Sequence, residues 1–329
     1  MAFISNCSAD VIAKAAQALK DGHLVAFPTE TVYGLGADSQ SAEAVAKIYN
    51  AKGRPADHPL IVHVSSMDAL GDWASDVPEY AITLARKFWP GPMTLVVKRS
   101  ELAKDFVTGG QDTVGIRVPG HAVALALLQE FERIGGRGVA APSANRFGAV
   151  SPTTASAVED ELADYLSADD PVLDGGPSKV GVESTIIDCT ANSPRVLRLG
   201  AVTAEMIETA TGTTVGDSVE KREIRVSGSL ESHYAPKAKV VLNEVAQPGD
   251  GLIAMSDVET PVGVIRLSAP KSIEEFAMTL YSSLRAADEH GLAKVVALEP
   301  PGEGLAEAIR DRLKRAEGPR KLNSNSQRK

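Results

Sequence analysis

Residues 27–64 read FPTETVYGLGADSQSAEAVAKIYNAKGRPADHPLIVHV, and this stretch decides the fold. At its start, His23 to Phe27 is a short apolar run bounded by Gly22 and Pro28, the pattern of a buried strand. Thr29, Glu30 and Thr31 follow the strand's carboxyl end, where open α/β sheets place their ligand crevice. Gly34 and Gly36 leave room for close backbone approach. Ser41 is placed to cap a helix with an apolar stripe of Ala44, Val45, Ile48 and Tyr49, and Gly53 to stop it. Leu60 to Val64 reads as a second buried strand. Strand, helix, strand implies a right-handed crossover with Lys52 and Arg54 in the connection. Two cations flanking a glycine at a tight helix exit suit a polyphosphate. Alone, a threonine-rich turn is commonly only turn chemistry and a Lys/Arg pair a solvated surface; it is their conjunction that carries weight.

At 329 residues the chain has enough length for about two domains with a large core. Its net charge of -9 argues against nucleic acid bound over the whole surface, yet is compatible with a local basic cleft for phosphates. Cys7 and Cys189 lie far apart with no metal-ligand spacing, which points to a reducing compartment and no structural zinc. No leader-like segment opens the chain, and no apolar run approaches the roughly 18 residues of a membrane helix. The expected location is cytoplasmic.

Further along, Ser8 caps a first helix, and a helix over Pro78 to Trp89 is stopped by Pro90, Gly91 and Pro92 before a strand from Met93 to Lys98. Thr113 to Val118 is a strand with Arg117 in its middle. An arginine in an apolar strand needs an anionic partner or solvent, because burying it unpaired costs several kcal/mol. It is either a structural ion pair or a guanidinium fork for a substrate carboxylate. His121 to Glu132 reads as a helix and Gly138 to Ala141 as a strand, followed by Pro142, Ser143, Ala144 and Asn145. Ser151 before Pro152 is read as a helix cap whose free amides face a phosphate. Strands at Pro171 to Asp174, Ser184 to Asp188 and Val196 to Leu199 follow, the last carrying Arg198, and a helix from Thr203 closes the first domain near residue 211.

Residues 212–238 have no sustained period and read as a linker, with SHYAP at Ser232 to Pro236 near its end. From 239 to 317 the α/β alternation resumes, and Ser272 with Glu275 marks a capped helix. Neither G-x-G-x-x-G after a strand nor a P-loop occurs, so dinucleotide and P-loop chemistry are not indicated. Residues 318–329 form a polar, basic tail of disordered composition.

The run PTETVYGLG, then KGRP with LIVHV behind it, then APSAN, resembles the YrdC-type L-threonylcarbamoyladenylate synthases, including their K-x-R and S-x-N signatures. The resemblance implies an α/β fold: a twisted, open YrdC-like sheet domain with helices, plus a smaller Rossmann-like α/β domain. It implies a reaction joining L-threonine, bicarbonate or carbon dioxide, and ATP, with pyrophosphate released and the product serving tRNA modification. By the same match, Lys52, Arg54, Ser143 and Asn145 are the catalytic set. Lys52, Arg54, His58, Thr113, Ser143, Ser151, Arg198 and Tyr234 bind ATP, with Tyr234 in a linker that folds over the nucleotide. Thr31, His63, Arg117 and Ser184 bind threonine. Magnesium enters with ATP and no carboxylate cage for it is visible, Glu30 being a candidate to orient water or metal. The product would pass to a tRNA threonylcarbamoyl transferase complex, with direct RNA binding not required.

Two other readings compete. A noncatalytic RNA-binding module would favour a broad basic surface with stacking aromatics, whereas this chain is acidic and 5% aromatic. Carbamoyl-adenylate chemistry of hydrogenase maturation would bring acylphosphatase and zinc-finger segments, and neither is visible.

Overall fold

The computed structural model describes residues 4–216, 224–226 and 234–318. Two sheets organise it. The larger contains β1 (Ile4–Asn6), β2 (Val25–Phe27), β3 (Gly34–Asp38), β4 (Ile61–His63), β5 (Ala74–Asp76), β6 (Met93–Arg99), β7 (Thr113–Arg117), β8 (Val139–Ala140), β9 (Val172–Asp174), β10 (Thr185–Asp188) and β11 (Arg195–Arg198). Their order is β1-β9-β2-β3-β8-β4-β7-β6-β10-β11, with β5 paired to β6 off this path. The smaller contains β12 (Lys239–Leu242), β13 (Gly251–Ile253), β14 (Ile265–Ser268) and β15 (Lys294–Ala297), all parallel in the order β12-β15-β13-β14. Helices α1 (Ala9–Lys20), α2 (Ala42–Lys52), α3 (Leu70–Trp73), α4 (Glu79–Phe88), α5 (Asp105–Thr108), α6 (Ala122–Arg133), α7 (Ala155–Leu162) and α8 (Ala204–Thr211) accompany the first sheet, and α9 (Ile273–Glu289) and α10 (Leu305–Glu317) the second. None of the described helices is long and apolar enough to cross a membrane.

The central unit forms much as its residues dictate. The Ser41 hydroxyl accepts from the Ala44 amide at 3.2 Å, and Gly53 ends α2 in a left-handed conformation with φ of 62°. One strand of it is absent from the sequence reading. Gly34–Asp38, to which the sequence pattern assigns no element, forms β3, antiparallel to β2, and β8 lies between β3 and β4. The helical crossover therefore joins β3 to β4, which run the same way without being neighbours, and not β2 to β4. Two glycines and an aspartate give GLGAD little strand propensity, so pairing with β2 and β8 decides it. Close approach explains Gly36, where an added Cβ would stand 2.6 Å from Val139 Cγ1 and 2.8 Å from Phe27 Cε1.

A second correction concerns Ser151, which caps no helix. Thr154 caps α7, accepting from the Ala157 amide at 3.2 Å, while the Ser151 hydroxyl turns inward. The two sheets share apolar packing: Val32, Val150 and Val182 from the first part lie in one cluster with Tyr234, Phe276, Leu280 and Ile309. Of the expected linker and tail, residues 217–223, 227–233 and 319–329, including Ser232 and His233, lie outside the described residues.

Gly36→Ala should lower the unfolding free energy by about 1–3 kcal/mol through overpacking. Urea denaturation checks this, and an unchanged midpoint would mean that β2 and β8 do not press on this strand.

Candidate active site

One pocket collects residues from segments far apart in the chain. Thr29 and Thr31 enter from the turn after β2, Lys52 and Arg54 from the end of α2, and Ser143 from the segment after β8. His63 and Arg117, register partners on β4 and β7, form one wall. Glu183 and Ser184 before β10, Arg198 at the end of β11, and Tyr234 complete it.

Lys52 is 2% exposed and sits at the junction of two of these segments. Its ammonium donates to the Ser143 carbonyl at 2.5 Å and to the Asn145 carbonyl, so the helix end and the APSAN turn are held by one charge. Burial, reinforced by Arg54, pushes its pKa well below the usual lysine range. An arriving anion would oppose both effects. Burial likewise draws Arg54 down to about 10, with Tyr49 resisting and Arg198 assisting. Arg54 Nη2 donates to the Pro59 carbonyl at 3.0 Å, and its buried Nε has no partner among the described residues.

Arg117 realises the plainer of its two readings and leaves part of the other open. Its Nη2 donates to Glu30 Oε1 at 2.7 Å and Thr31 Oγ1 at 3.0 Å, and its Nε to the Gly91 carbonyl at 3.4 Å. Only Nη1 is left without a described partner, so the full bidentate fork is not presented to a ligand. Glu30 also accepts from the Gly120 amide at 2.8 Å, which commits the carboxylate expected to orient water or metal to structure. His63 is fully buried beside Arg117, and burial, then that positive charge, lowers its pKa to about 3. Its Nδ1 has no hydrogen-bond partner among the described residues. Arg198 donates through Nε and Nη2 to the Ser184 carbonyl at 3.1 and 2.9 Å, and through Nη2 to the Ser184 hydroxyl at 3.1 Å. That hydroxyl also shares a 2.8 Å bond with Thr94.

With this geometry in hand, likeness to known proteins is specific. A family model described as "Telomere recombination" (Sua5_yciO_yrdC) matches residues 17–200, and one described as "Threonylcarbamoyl-AMP synthase, C-terminal domain" matches residues 202–318. The threonylcarbamoyl-AMP synthase of Pyrococcus abyssi is 40% identical over 325 residues, covering 92% of this chain and 93% of that protein. That of Bacillus subtilis is 39% identical over 330 residues, covering 94% and 93%. The crystal structure of P. abyssi Sua5 complexed with L-threonine superposes with a TM-score of 0.85 at 37% identity, covering 96% of this chain and 97% of that one. The chain belongs to the threonylcarbamoyl-AMP synthases.

In this member of the synthases, several expected site residues stand outside the pocket just described. Asn145 supplies its carbonyl to Lys52, and its side-chain amide donates to the carbonyls of Arg146 and Ala149 at 2.7 and 2.9 Å. Its buried Oδ1 has no described partner. His58 packs edge-on against Phe147 at 5.4 Å, and Phe147 does line the pocket. Thr113 lines an adjoining, largely apolar pocket with Ile186, Ile224 and Val226, and Ile61 is common to both. Ser151 donates to Glu183 Oε1 at 2.7 Å.

Glu183 is the pocket residue that the sequence reading passed over. It is the acid that precedes the apolar run in VGVESTII, and a charge flanking a buried strand was the available signal. Among the described residues no cluster of three or more His, Cys, Asp or Glu could hold a metal ion. Glu183 in the pocket and Glu30 on Arg117 already have partners, so neither carboxylate is left over as a ready metal ligand.

His63 takes up a proton in the unfolded chain at pH 6.5 but not in the folded one until about pH 3, so the unfolded state binds more protons between these values. Stability should therefore fall as pH drops through this window, by at most about 1.4 kcal/mol per pH unit from this group. Urea unfolding at pH 7, 6 and 5 should show a shallower decline for His63→Gln; parallel declines would show that the imidazole titrates alike in the folded and unfolded states.

Proposed function

We propose that the protein joins L-threonine, bicarbonate or dissolved carbon dioxide, and ATP into L-threonylcarbamoyladenylate, releasing pyrophosphate, for threonylcarbamoyladenosine modification of tRNA. The observation that carries this reading is the convergence of Lys52, Arg54, Arg117 and Arg198 on one pocket that also presents unpartnered polar atoms of Arg54 and His63. Four cations line the pocket against one carboxylate, Glu183, which Arg312 already pairs, so the pocket is suited to anions.

The reaction requires two anions to meet. The threonine amine first becomes a carbamate; a carbamate oxygen then attacks the α-phosphorus, forming the mixed anhydride as the bond to pyrophosphate breaks. Lys52, Arg54 and Arg198 are assigned to the phosphates, where their charge offsets that repulsion. Arg117, through Nη1, is assigned to the threonine carboxylate, with Thr31, His63 and Ser184 around the amino acid. A neutral His63 can accept or donate without adding charge. Ser143, whose hydroxyl has no hydrogen bond to a described residue, is assigned to ATP with Asn145 as the support of Lys52. Thr113 and the adjoining apolar pocket are assigned to the nucleoside end, and His58, Ser151 and Tyr234 to its surroundings. Positioning of this kind can supply on the order of 7–11 kcal/mol without a covalent nucleophile.

The division into 1–211, 212–238 and 239–317 belongs to the same proposal, as do magnesium carried by ATP and transfer of the product to a tRNA threonylcarbamoyl transferase. Pyrophosphate release from ATP should depend on both threonine and bicarbonate, whereas RNA binding without turnover would favour the noncatalytic module. Arg117→Ala should raise the KM for threonine by roughly ten- to a hundredfold, the worth of about 1.5–3 kcal/mol for a charged hydrogen bond. Arg54→Ala should raise the KM for ATP and lower kcat; kinetics like the parent's in either variant would remove that residue from its role.

A further inference from the structure

Arg312 lies on α10, in the sequence DRLKRAEG that reads as the charged end of a surface helix, yet it is 0% exposed. Its Nε donates to Glu183 Oε2 at 2.9 Å, its Nη2 to the Leu199 carbonyl at 2.8 Å, and its Nη1 to Asp311 at 2.8 Å. Tyr281 on α9 donates to the same Glu183 oxygen at 2.8 Å. The Arg312 guanidinium also stands 5.4 Å from the ring centroid of Tyr234, which stacks on Tyr281 at 5.5 Å. Tyr234 holds a left-handed backbone with φ of 62°, costly for a tyrosine unless its surroundings impose it. The loop leading to Glu183 is pressed on the same helices: a Cβ at Gly181, whose φ is 79°, would lie 2.3 Å from the Ala277 carbonyl oxygen of α9.

Glu183 and Tyr234 line the proposed nucleotide pocket, whereas Arg312 and Tyr281 belong to helices of the smaller sheet. Burial alone would raise the Glu183 pKa, but Arg312, then Arg198, and the bonds from Ser151 and Arg312 hold it at about 2. A full negative charge thus lies in a pocket meant for phosphates. Something must neutralise it from behind.

We propose that Arg312 is a positioning residue for nucleotide binding: it neutralises Glu183 from the far side, so that the charge of Arg198 is turned to the phosphates, and it fixes Tyr234 as a pocket wall. The role rests on the nucleotide reading above and extends it to the smaller α/β part, which then completes the pocket electrostatically without lining it. A buried ion pair that merely glues two sheets together would cost stability when broken but would show no preference between substrates.

The full-length chain and its Arg312→Gln, Arg312→Lys and Glu183→Gln/Arg312→Gln variants are compared for the KM of ATP and of threonine by pyrophosphate release, with melting temperatures alongside. Arg312→Gln should raise the KM for ATP by about fivefold or more, with less effect on threonine, and the added Glu183→Gln should recover most of that loss by removing the stranded charge. Arg312→Lys keeps the charge and should stay closer to the parent than Arg312→Gln; it also serves if the glutamine variant does not fold. A smaller rise for ATP, an equal rise for threonine, no recovery in the double variant, or a lysine variant as impaired as the glutamine one would each overturn the proposal. Absence of threonine-dependent turnover in the parent would sink the synthase reading alone, and ATP affinity by calorimetry on the same four proteins would then decide the coupling.

Discussion

A buried ammonium holds this structure's centre. Lys52 cannot leave its charge unsatisfied in a site 2% exposed, and it meets that demand with the carbonyls of Ser143 and Asn145. That single requirement ties the end of α2 to the segment after β8. Two further contacts brace this joint: Gly34 bridges to Ser143, and the Phe147 amide returns to the Lys52 carbonyl at 2.8 Å.

Charge balance follows from the same constraint. Four cations within one cavity would repel one another, and burial lowers the pKa of Lys52, Arg54 and Arg198. One acid, Glu183, is built into the wall, and a second, Glu30, is set against Arg117. Glu30 is consumed by Arg117 and a backbone amide, and Glu183 by Ser151, Tyr281 and Arg312. The cavity lining therefore carries more cations than acids, an arrangement that an incoming anion can stabilise more than water can. The unpartnered Arg54 Nε and His63 Nδ1 belong to the same unsatisfied state.

Much of this was legible locally. Ser41 and Gly53 delimit α2 because a hydroxyl cap and a left-handed exit are short-range demands. Arg117 advertised itself as a charge inside VGIRV, and Lys52 and Arg54 as a pair about a glycine. Where the reading failed, distant partners had decided the outcome. Gly34–Asp38 is a strand only because β2 and β8 flank it, and the cap of α7 is Thr154 because the Ser151 hydroxyl is drawn to Glu183, 32 positions away. Glu183 itself carried no local sign of its partner.

The amino-acid sequence by itself determined the two α/β patterns, the helix bounds set by caps, the cations set within apolar runs, and the ordered motifs of the family. Those features depend on neighbours within a few positions, where spacing is information enough. Only the tertiary structure decided that His63 stands beside Arg117, that Glu30 spends itself on that arginine, and that Arg312 reaches back 129 positions to Glu183. Compensation of buried charge is a property of three-dimensional distance, and no periodicity along the chain records it.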